Sequence, residues 1–250
     1  MSTHLEIHGL CKSYGGNVVT RSLDMVVPAG SLSAIIGPNG AGKTTLLNLI
    51  TGLIAPDAGS IRIGGQEIAG RSAPQIVEAG VGRAFQTANL FPTFTVEATL
   101  VACAAARRGK LWKPFGRYPT SDAVAKANQL VEQVGLEHVR YRICSTLSHG
   151  DQKLLDIAIA LAREPRVLLL DEPMAGMGPG ERQTMVACLK RLWSEGGMTL
   201  LFVEHDMDVV FGTAKHVIVM QMGTKISEGS PSEIRNDPRV IEAYLGSGHA

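Results

Sequence analysis

Residues 37–44 read Gly37-Pro38-Asn39-Gly40-Ala41-Gly42-Lys43-Thr44. This stretch matches the phosphate-loop pattern G-x-x-x-x-G-K-[ST] at every defined position. Several backbone N–H groups of such a glycine-rich turn can point inward at a phosphate, because no Cβ blocks close approach. Lys43 can then reach the β- and γ-phosphates of a nucleotide, and the Thr44 hydroxyl can become a ligand of Mg²⁺. The stretch therefore predicts a nucleotide site, without indicating what the nucleotide is used for.

The sequence on both sides of this loop fits the same chemistry. Before it, Leu32–Ile36 is an apolar run that predicts a short buried strand. After it, residues 45–51 predict a helix that begins near Lys43, and Gly52 suits its C-terminal cap. The positive N-terminal end of that helix adds to the attraction for phosphate. The order strand, loop and helix makes a chance glycine-rich turn the weaker interpretation.

Length and composition exclude several classes of protein. The 250 residues can bury one substantial core, or a core with a small subdomain. A formal net charge of +1 argues against a protein that binds nucleic acid through its overall charge. Cys11, Cys103, Cys144 and Cys188 are isolated, which indicates small core residues in a reducing compartment rather than disulfides or zinc ligands. No run of about 18 apolar residues and no secretory signal is found, so we expect a cytosolic protein unless a partner holds it at a membrane.

Apolar segments alternate with helical ones along the chain, which is typical of an α/β fold with a mostly parallel sheet. Residues 167–170, Thr199–Val203 and 217–220 are continuous apolar runs, as expected for strands covered on both faces. Residues 5–36 and 59–68 contain short strands and glycine turns, which predict an antiparallel layer.

Residues 88–162 lack strong strand signals and read as helical. We interpret them as a helical subdomain inserted into a single domain that spans residues 1–250. The predicted fold class is therefore α/β, with a P-loop NTPase core, a mostly parallel sheet, an antiparallel β layer and an inserted helical subdomain.

A second group of candidate residues follows the apolar run 167–170, which ends in Asp171-Glu172-Pro173. A carboxylate at the end of a strand beside the phosphate loop can hold Mg²⁺, directly or through water, and Asp171 has this position. Glu172 can orient or deprotonate an attacking water. An ordinary acidic turn is the alternative, and the presence of the phosphate loop disfavours it.

A third candidate is the start of another helix, at Leu147-Ser148-His149-Gly150-Asp151-Gln152. Apolar residues recur at helical spacing from Leu154 to Leu161, and Pro165 ends the pattern. Ser148 and the backbone N–H groups after it would form a helix N-terminus suited to phosphate. An ordinary serine cap remains the alternative for this feature taken alone.

Together these motifs resemble the nucleotide-binding subunit of an ATP-binding-cassette (ABC) transporter. The resemblance covers essentially the whole chain, in the family's motif order. Residues 37–44 match the Walker A loop and Val167–Asp171 matches Walker B, while residues 147–152 match the signature motif. Gln86 matches the Q-loop glutamine, which senses Mg²⁺ and communicates with the membrane domain, and His205 matches the switch histidine.

The resemblance implies ATP and Mg²⁺ as cofactors and assigns roles residue by residue. Catalysis is assigned to Lys43, Glu172 and His205. The nucleotide would contact Tyr14, whose ring would stack on adenine, and Gly37, Pro38, Asn39, Gly40, Ala41, Gly42, Lys43, Thr44, Thr45, Gln86, Ser148, Gly150 and Asp171. The metal would be held by Thr44, Gln86 and Asp171.

The sequence departs from the family's pattern at two positions. His149 replaces the usual first glycine of the signature motif, although Ser148 and Gly150 are kept. Gly178 stands where the family usually has an aspartate that faces the dimer partner, which puts that contact across the interface in question.

The resemblance also implies partners. Two ATPase subunits would face each other head to tail, so that ATP on the phosphate loop of one is closed by Ser148 of the other. The second subunit could be identical or homologous. Two transmembrane permease subunits and, indirectly, a substrate-binding protein would complete the machine, with no nucleic acid, at the cytoplasmic face of the plasma (inner) membrane.

A finer resemblance is to the larger ATPase subunit of uptake systems for branched-chain or hydrophobic amino acids. It rests on residues 86–97 with the insertion near 107–120, on residues 175–179, and on the tail 229–246. The sequence Leu-Ser-His-Gly also resembles relatives that import urea or amides. An exporter or lipid-transport ATPase, or a soluble DNA- or ribosome-associated ATPase, remains a less favoured alternative. The basic loop 107–118 could be solvated or could contact a membrane partner or lipid headgroups.

Overall fold

The computed structural model describes residues 3–84, 91–106 and 119–245. In chain order the strands and helices are β1 (Thr3–Tyr14), β2 (Asn17–Pro28), β3 (Leu32–Ile36), α1 (Lys43–Ile50), β4 (Ala58–Ile63), β5 (Gln66–Glu67), α2 (Ala73–Glu78), β6 (Val81–Ala84), α3 (Val96–Ala106), α4 (Ser121–Val134), α5 (His149–Leu161), β7 (Val167–Asp171), α6 (Pro179–Gly196), β8 (Thr199–Val203), α7 (Met207–Thr213), β9 (His216–Gln221), β10 (Thr224–Gly229), α8 (Pro231–Arg235) and α9 (Pro238–Leu245). None of the helices in these ranges is both long and apolar enough to cross a membrane.

A six-stranded sheet forms the centre of the fold, with the strand order β10-β9-β3-β8-β7-β6. The strands from β9 to β6 are parallel, and β10 pairs antiparallel with β9. Four of the five parallel strands, β3, β7, β8 and β9, contain the predicted apolar runs, and β3 and β8 are buried at every position. The predicted mostly parallel sheet is confirmed.

The antiparallel layer is a separate four-stranded sheet with the order β2-β1-β4-β5. The prediction that residues 5–36 all belong to this layer was wrong at its C-terminal end, because β3 pairs in parallel with β8 and β9. Burial explains the difference. Exposed and buried positions alternate in the second half of β2, as in a strand with one solvated face, whereas all five residues of β3 are buried.

The parallel sheet separates two hydrophobic cores because successive side chains of a strand point to opposite faces. On one face, Ile35 and Leu169 pack with the antiparallel sheet and with α1. On the other face, Ala34 and Phe202 pack with helices that include α4, α5 and α6. Both sides of the central strands are therefore covered, which accounts for their continuous apolar sequences.

The helices α3, α4 and α5 occupy the chain between β6 and β7. Within residues 91–106 and 119–161, the β-type pairing consists of one isolated bridge between Thr95 and Ile143. A subdomain with the predicted limits 88–162 remains a proposal, because residues 88–90 and 107–118 lie outside the described ranges. The basic loop predicted at 107–118 lies outside them as well.

The turn between β9 and β10 joins the two sheets beside the phosphate loop. Gly223 N–H donates to the carbonyl of Ala41 at 3.1 Å, and Gly223 O accepts from the N–H of Arg21 in β2 at 2.9 Å. Gly223 has φ +78, and a Cβ on it would lie 2.3 Å from the carbonyl oxygen of Val19. Close backbone approach at this glycine therefore fixes how the antiparallel sheet meets the loop.

We predict that Gly223→Ala lowers the free energy of unfolding by about 2–3 kcal/mol, because backbone strain adds to a clash with backbone atoms. Gly65→Ala is the matched control, since Gly65 has φ +82 but nothing within 4 Å of a built Cβ. For this control variant the free energy of unfolding should fall by only about 1 kcal/mol, the cost of a left-handed backbone conformation in a residue with a Cβ. Urea unfolding of both variants measures the difference, and equal losses would contradict the role given to close packing at Gly223.

Candidate nucleotide site

The candidate residues meet at the carboxyl ends of the parallel strands. Gly37 follows β3, Asp171 ends β7 and His205 follows β8. Val203 in β8 is the register partner of both Ile35 and Asp171, so these strand ends lie at one edge of the sheet. Ligands of open α/β sheets bind at this edge.

The phosphate loop packs so closely that two of its glycines admit no side chain. A Cβ on Gly37 would lie 2.1 Å from the carbonyl oxygen of Met220, and one on Gly42 would lie 2.8 Å from that of Val19. Gly42 has φ +96 and directly precedes α1. The loop opens onto a cavity of about 640 Å³, lined by Pro38, Asn39, Gly40, Ala41, Gln221, Met222, Ile226, Arg239, Glu242 and Ala243.

Lys43 lies folded across the loop at the start of α1. Its Nζ donates to the carbonyls of Gly37 and Pro38 at 2.7 and 3.1 Å. Burial lowers the pKa of Lys43, and the carboxylates of Glu172 and Asp171 oppose this effect. The lysine thus lies within electrostatic reach of both predicted acidic residues.

The two threonines of the loop follow Lys43. Thr44 is exposed at the first turn of α1, and Thr45 is half-buried. An exposed Thr44 is compatible with a hydroxyl offered to a metal ion, which remains a prediction.

Asp171 is held by an arginine that sequence reasoning missed. Arg83 of β6 donates to Asp171 Oδ2 at 2.9 Å and to Asn48 Oδ1 of α1 at 2.7 Å. The Arg83 and Asp171 side chains are only 8% and 12% exposed. An arginine within the apolar strand Val81–Ala84 was the available signal.

The donors near the loop fit Mg²⁺. The hydroxyl of Thr44 and the carboxylate of Asp171 are oxygen donors, which Mg²⁺ prefers, and substrate phosphates and water normally complete its shell. Gln86, the third predicted metal ligand, lies outside the described residues.

Glu172 and His205 face each other after β7 and β8. Glu172 has φ +45, and its N–H donates to Val203 O at 3.0 Å. Nδ1 of His205 lies 3.8 Å from Glu172 Oε1, and both side chains reach solvent. The structure therefore brings the predicted catalytic pair together.

A buried glutamate that was not predicted supports this pair. Glu204 Oε1 accepts from Met174 N–H at 2.9 Å, and Oε2 accepts from His205 N–H at 3.3 Å. Burial raises the pKa of Glu204, while these backbone donors oppose that change. Glu204 thus connects the turn after β7 to the backbone of His205.

The signature residues lie at the start of α5. Ser148 Oγ accepts from Asp151 N–H at 3.1 Å, as a serine cap does. Gly150 N–H donates to Oε1 of Glu181 at 3.2 Å, while Gly178 N–H donates to Oε2 of the same carboxylate at 3.2 Å. These two backbone donors, Gly178 first, lower the pKa of Glu181.

The cavity at Ser148 and the cavity at the phosphate loop are distinct. The first has a volume of about 290 Å³ and includes Ser148, Gly150 and Glu181 in its lining. None of the residues that line it also lines the cavity at Pro38 and its neighbours. Among the described residues of one chain, the two predicted phosphate-binding helix ends line separate cavities.

The two departures from the family's pattern lie near each other. His149 Nε2 is 3.2 Å from the carbonyl oxygen of Ala175, in the segment that leads to Gly178. Gly178 is exposed, and its backbone precedes α6. The histidine thus bridges the signature motif to the loop after β7.

Tyr14 ends β1 and is 48% exposed. It pairs with Asn17 across the β1–β2 hairpin, close to Val19, whose carbonyl lies against the phosphate loop at Gly42. Lys12 Nζ lies 5.5 Å from the centre of its ring. An exposed ring at this hairpin is compatible with stacking on adenine, which remains a prediction.

Comparison with known proteins gives the class of this chain. A family model described as ABC transporter matches residues 20–175, and one described as Branched-chain amino acid ATP-binding cassette transporter matches residues 224–250. The chain belongs to the ABC transporter family. The predicted P-loop fold, the binding of ATP and the assignment as an ATPase are thereby confirmed.

The relatives narrow this class. The chain is 38% identical to the high-affinity branched-chain amino acid transport ATP-binding protein BraF of Pseudomonas aeruginosa, with 97% of each chain covered. It is 36% identical to the corresponding protein LivG of Escherichia coli K12, again over 97% of each. The crystal structure of the ADP conformation of MJ1267, an ATP-binding cassette of an ABC transporter, matches with a TM-score of 0.86 and 30% identity, over 98% of this chain and 100% of the other.

A buried acid beneath the site should make stability depend on pH. Asp156 of α5 lies beside a small cavity that Lys153 and Asp171 also line. Burial raises its pKa from 3.8 to about 7, and Lys153 partly opposes this. Between these two values the folded protein keeps a proton that the unfolded chain releases, so this residue lowers stability as pH rises from about 4 to 7.

We predict that Asp156→Asn removes this pH dependence. The stability of the variant relative to wild type should increase between about pH 4 and 7, by at most about 1.4 kcal/mol per pH unit. Urea unfolding at several pH values measures it, with Asp208→Asn at an exposed position as the control. Parallel stability curves for wild type and Asp156→Asn would contradict the shifted pKa.

Proposed function

We propose that this chain is the ATP-hydrolysing subunit of an importer for branched-chain or other hydrophobic amino acids. The observation that carries the proposal is the match of 97% of the chain to BraF, whose name states that transport. The match of residues 224–250 to the branched-chain family supports the same substrate class. The subunit would act at the cytoplasmic face of the plasma (inner) membrane, bound to two permease subunits. A substrate-binding protein would deliver the amino acid to these permeases.

The phosphate loop would bind the β- and γ-phosphates through its backbone N–H groups and Lys43. For this, Lys43 Nζ must exchange the carbonyls of Gly37 and Pro38 for phosphate oxygens. Thr44, Asp171 and Gln86 would hold Mg²⁺, which neutralises charge that develops on the phosphates. Tyr14 would stack on the adenine.

Glu172 would take the proton of the attacking water, with His205 orienting the water and the γ-phosphate. The separation of 3.8 Å between His205 Nδ1 and Glu172 Oε1 supports the proposal that both side chains act on the same attacking water. A general base typically contributes about 10²–10⁴-fold to a rate.

The separate cavities at Ser148 and at the phosphate loop support a head-to-tail pair of ATPase subunits. In this pair, Ser148 and the helix N-terminus at Gly150 would close the nucleotide held by the facing subunit. The second subunit would be identical or homologous. Closure and reopening of the pair would drive the permeases.

We predict that Glu172→Gln lowers the turnover of ATP by about 10²–10⁴-fold, because an amide cannot accept the proton. The affinity for ATP should change little, since the loop and Lys43 are untouched. Steady-state phosphate release and calorimetry measure the two quantities. Glu228→Gln serves as control, because Glu228 lies on β10 in a surface ion pair with Lys225. Full turnover by the Glu172 variant would refute the assignment of the base.

Purification from native membranes tests the transport proposal. We expect two membrane proteins to copurify, and the complex in proteoliposomes to take up leucine when ATP and the binding protein are supplied. The same complex with Lys43→Ala should fail to transport. Uptake of urea or an amide instead of leucine would show that the transported solute belongs to that class. Copurification of the chain with DNA or ribosomes would overturn the proposal.

A further inference from the structure

The lysine Lys153 lies in the interior of the protein next to the candidate catalytic glutamate. It belongs to the second turn of α5 and is only 7% exposed. Its Nζ donates to the backbone carbonyl of Glu172 at 2.8 Å. None of the roles given above to nucleotide, metal or water uses this side chain.

The backbone of Glu172 needs such an anchor. Its φ of +45 is a left-handed conformation, which residues other than glycine rarely adopt unless surrounding contacts impose it. Glu172 N–H donates to Val203 O at 3.0 Å, and Glu172 O accepts from Lys153 and from Ala175 N–H at 3.2 Å. The N–H is thus tied to β8 and the carbonyl to α5.

Lys153 makes its hydrogen bond to the backbone carbonyl of Glu172 and not to the nearby carboxyl group of Asp156. Asp156, one turn further along α5, is also buried, yet its Oδ2 has no hydrogen-bond partner among the described residues. Burial lowers the pKa of Lys153, and the carboxylates of Glu204 and Glu172 oppose this. A buried ammonium group needs a strong acceptor, and here it lies on the peptide of Glu172 rather than on Asp156.

We propose that Lys153 is a positioning residue for ATP hydrolysis, which holds the carbonyl of Glu172 so that the left-handed turn directs the Glu172 carboxylate toward the γ-phosphate. This inference rests on the proposed function of Glu172 as the base. In this proposal α5 would contribute to two sites. Ser148 at its N-terminus would close the site of the facing subunit, and Lys153 would hold the backbone of Glu172 in its own subunit.

The test compares Lys153→Met, which keeps an unbranched side chain one atom shorter and has no donor, with Lys153→Arg, which keeps the charge and the donor. We expect kcat to fall about 10–100-fold in the methionine variant, while KM for ATP stays within about twofold. The arginine variant should recover most of kcat. Lys126→Met is the matched control, because Lys126 is a partly buried lysine on α4 that pairs with Glu164.

A double-mutant cycle shows whether Lys153 acts through Glu172. If it does, adding Lys153→Met to Glu172→Gln causes no further fall in kcat. Wild-type kcat in Lys153→Met, a parallel rise in KM, or additive losses in the double variant would overturn the inference. If Lys153→Met does not fold, the double variant Lys153→Met with Asp156→Asn, which also replaces the buried Asp156 carboxyl group, is judged by the same criteria.

The cycle also separates this inference from the proposed function. Full turnover by Glu172→Gln would remove the base assignment itself. An inactive Glu172→Gln together with a fully active Lys153→Met would leave the base assignment intact and reject only the role of Lys153.

Discussion

Close backbone approach at the phosphate loop is the constraint on which the rest of the site depends. Gly37 lies against the carbonyl of Met220 and Gly42 against that of Val19, with no room for a Cβ at either. Met220 belongs to the parallel sheet and Val19 to the antiparallel sheet, so the loop is held between the two. A loop fixed from both sides keeps its N–H groups oriented, and preorganised donors stabilise charge without reorganising during a reaction.

Three cations near the candidate site have defined oxygen partners. Lys43 binds carbonyls of the loop itself, Arg83 binds the carboxylate of Asp171, and Lys153 binds the carbonyl of Glu172. The hydrogen bonds of Lys43 and Lys153 therefore go to backbone carbonyls rather than to carboxylates. The Glu172 carboxylate stays near His205 and is directed by the turn that carries it, which suits its proposed role as proton acceptor.

Local features of the fold could be predicted from the sequence because they depend on neighbouring residues. The strand Leu32–Ile36, the helix after the loop and the cap at Ser148 all follow from short patterns. The sheet to which that strand belongs could not be predicted, since its partners lie far away in the chain. Arg83 and its partner Asp171 are 88 residues apart, and Lys153 and Glu172 are 19 residues apart, so no short pattern links either pair.

In the proposed pair of subunits, the helix α5 would connect the two nucleotide sites. Ser148 caps its N-terminus, and Lys153 follows within the next two turns, so one rigid element carries both residues. In a head-to-tail pair, the first residue would contact the nucleotide of the facing subunit and the second would hold Glu172 of its own. A shift of α5 on closure would then reach the peptide of Glu172 through a single hydrogen bond, without requiring a long chain of contacts between the two sites.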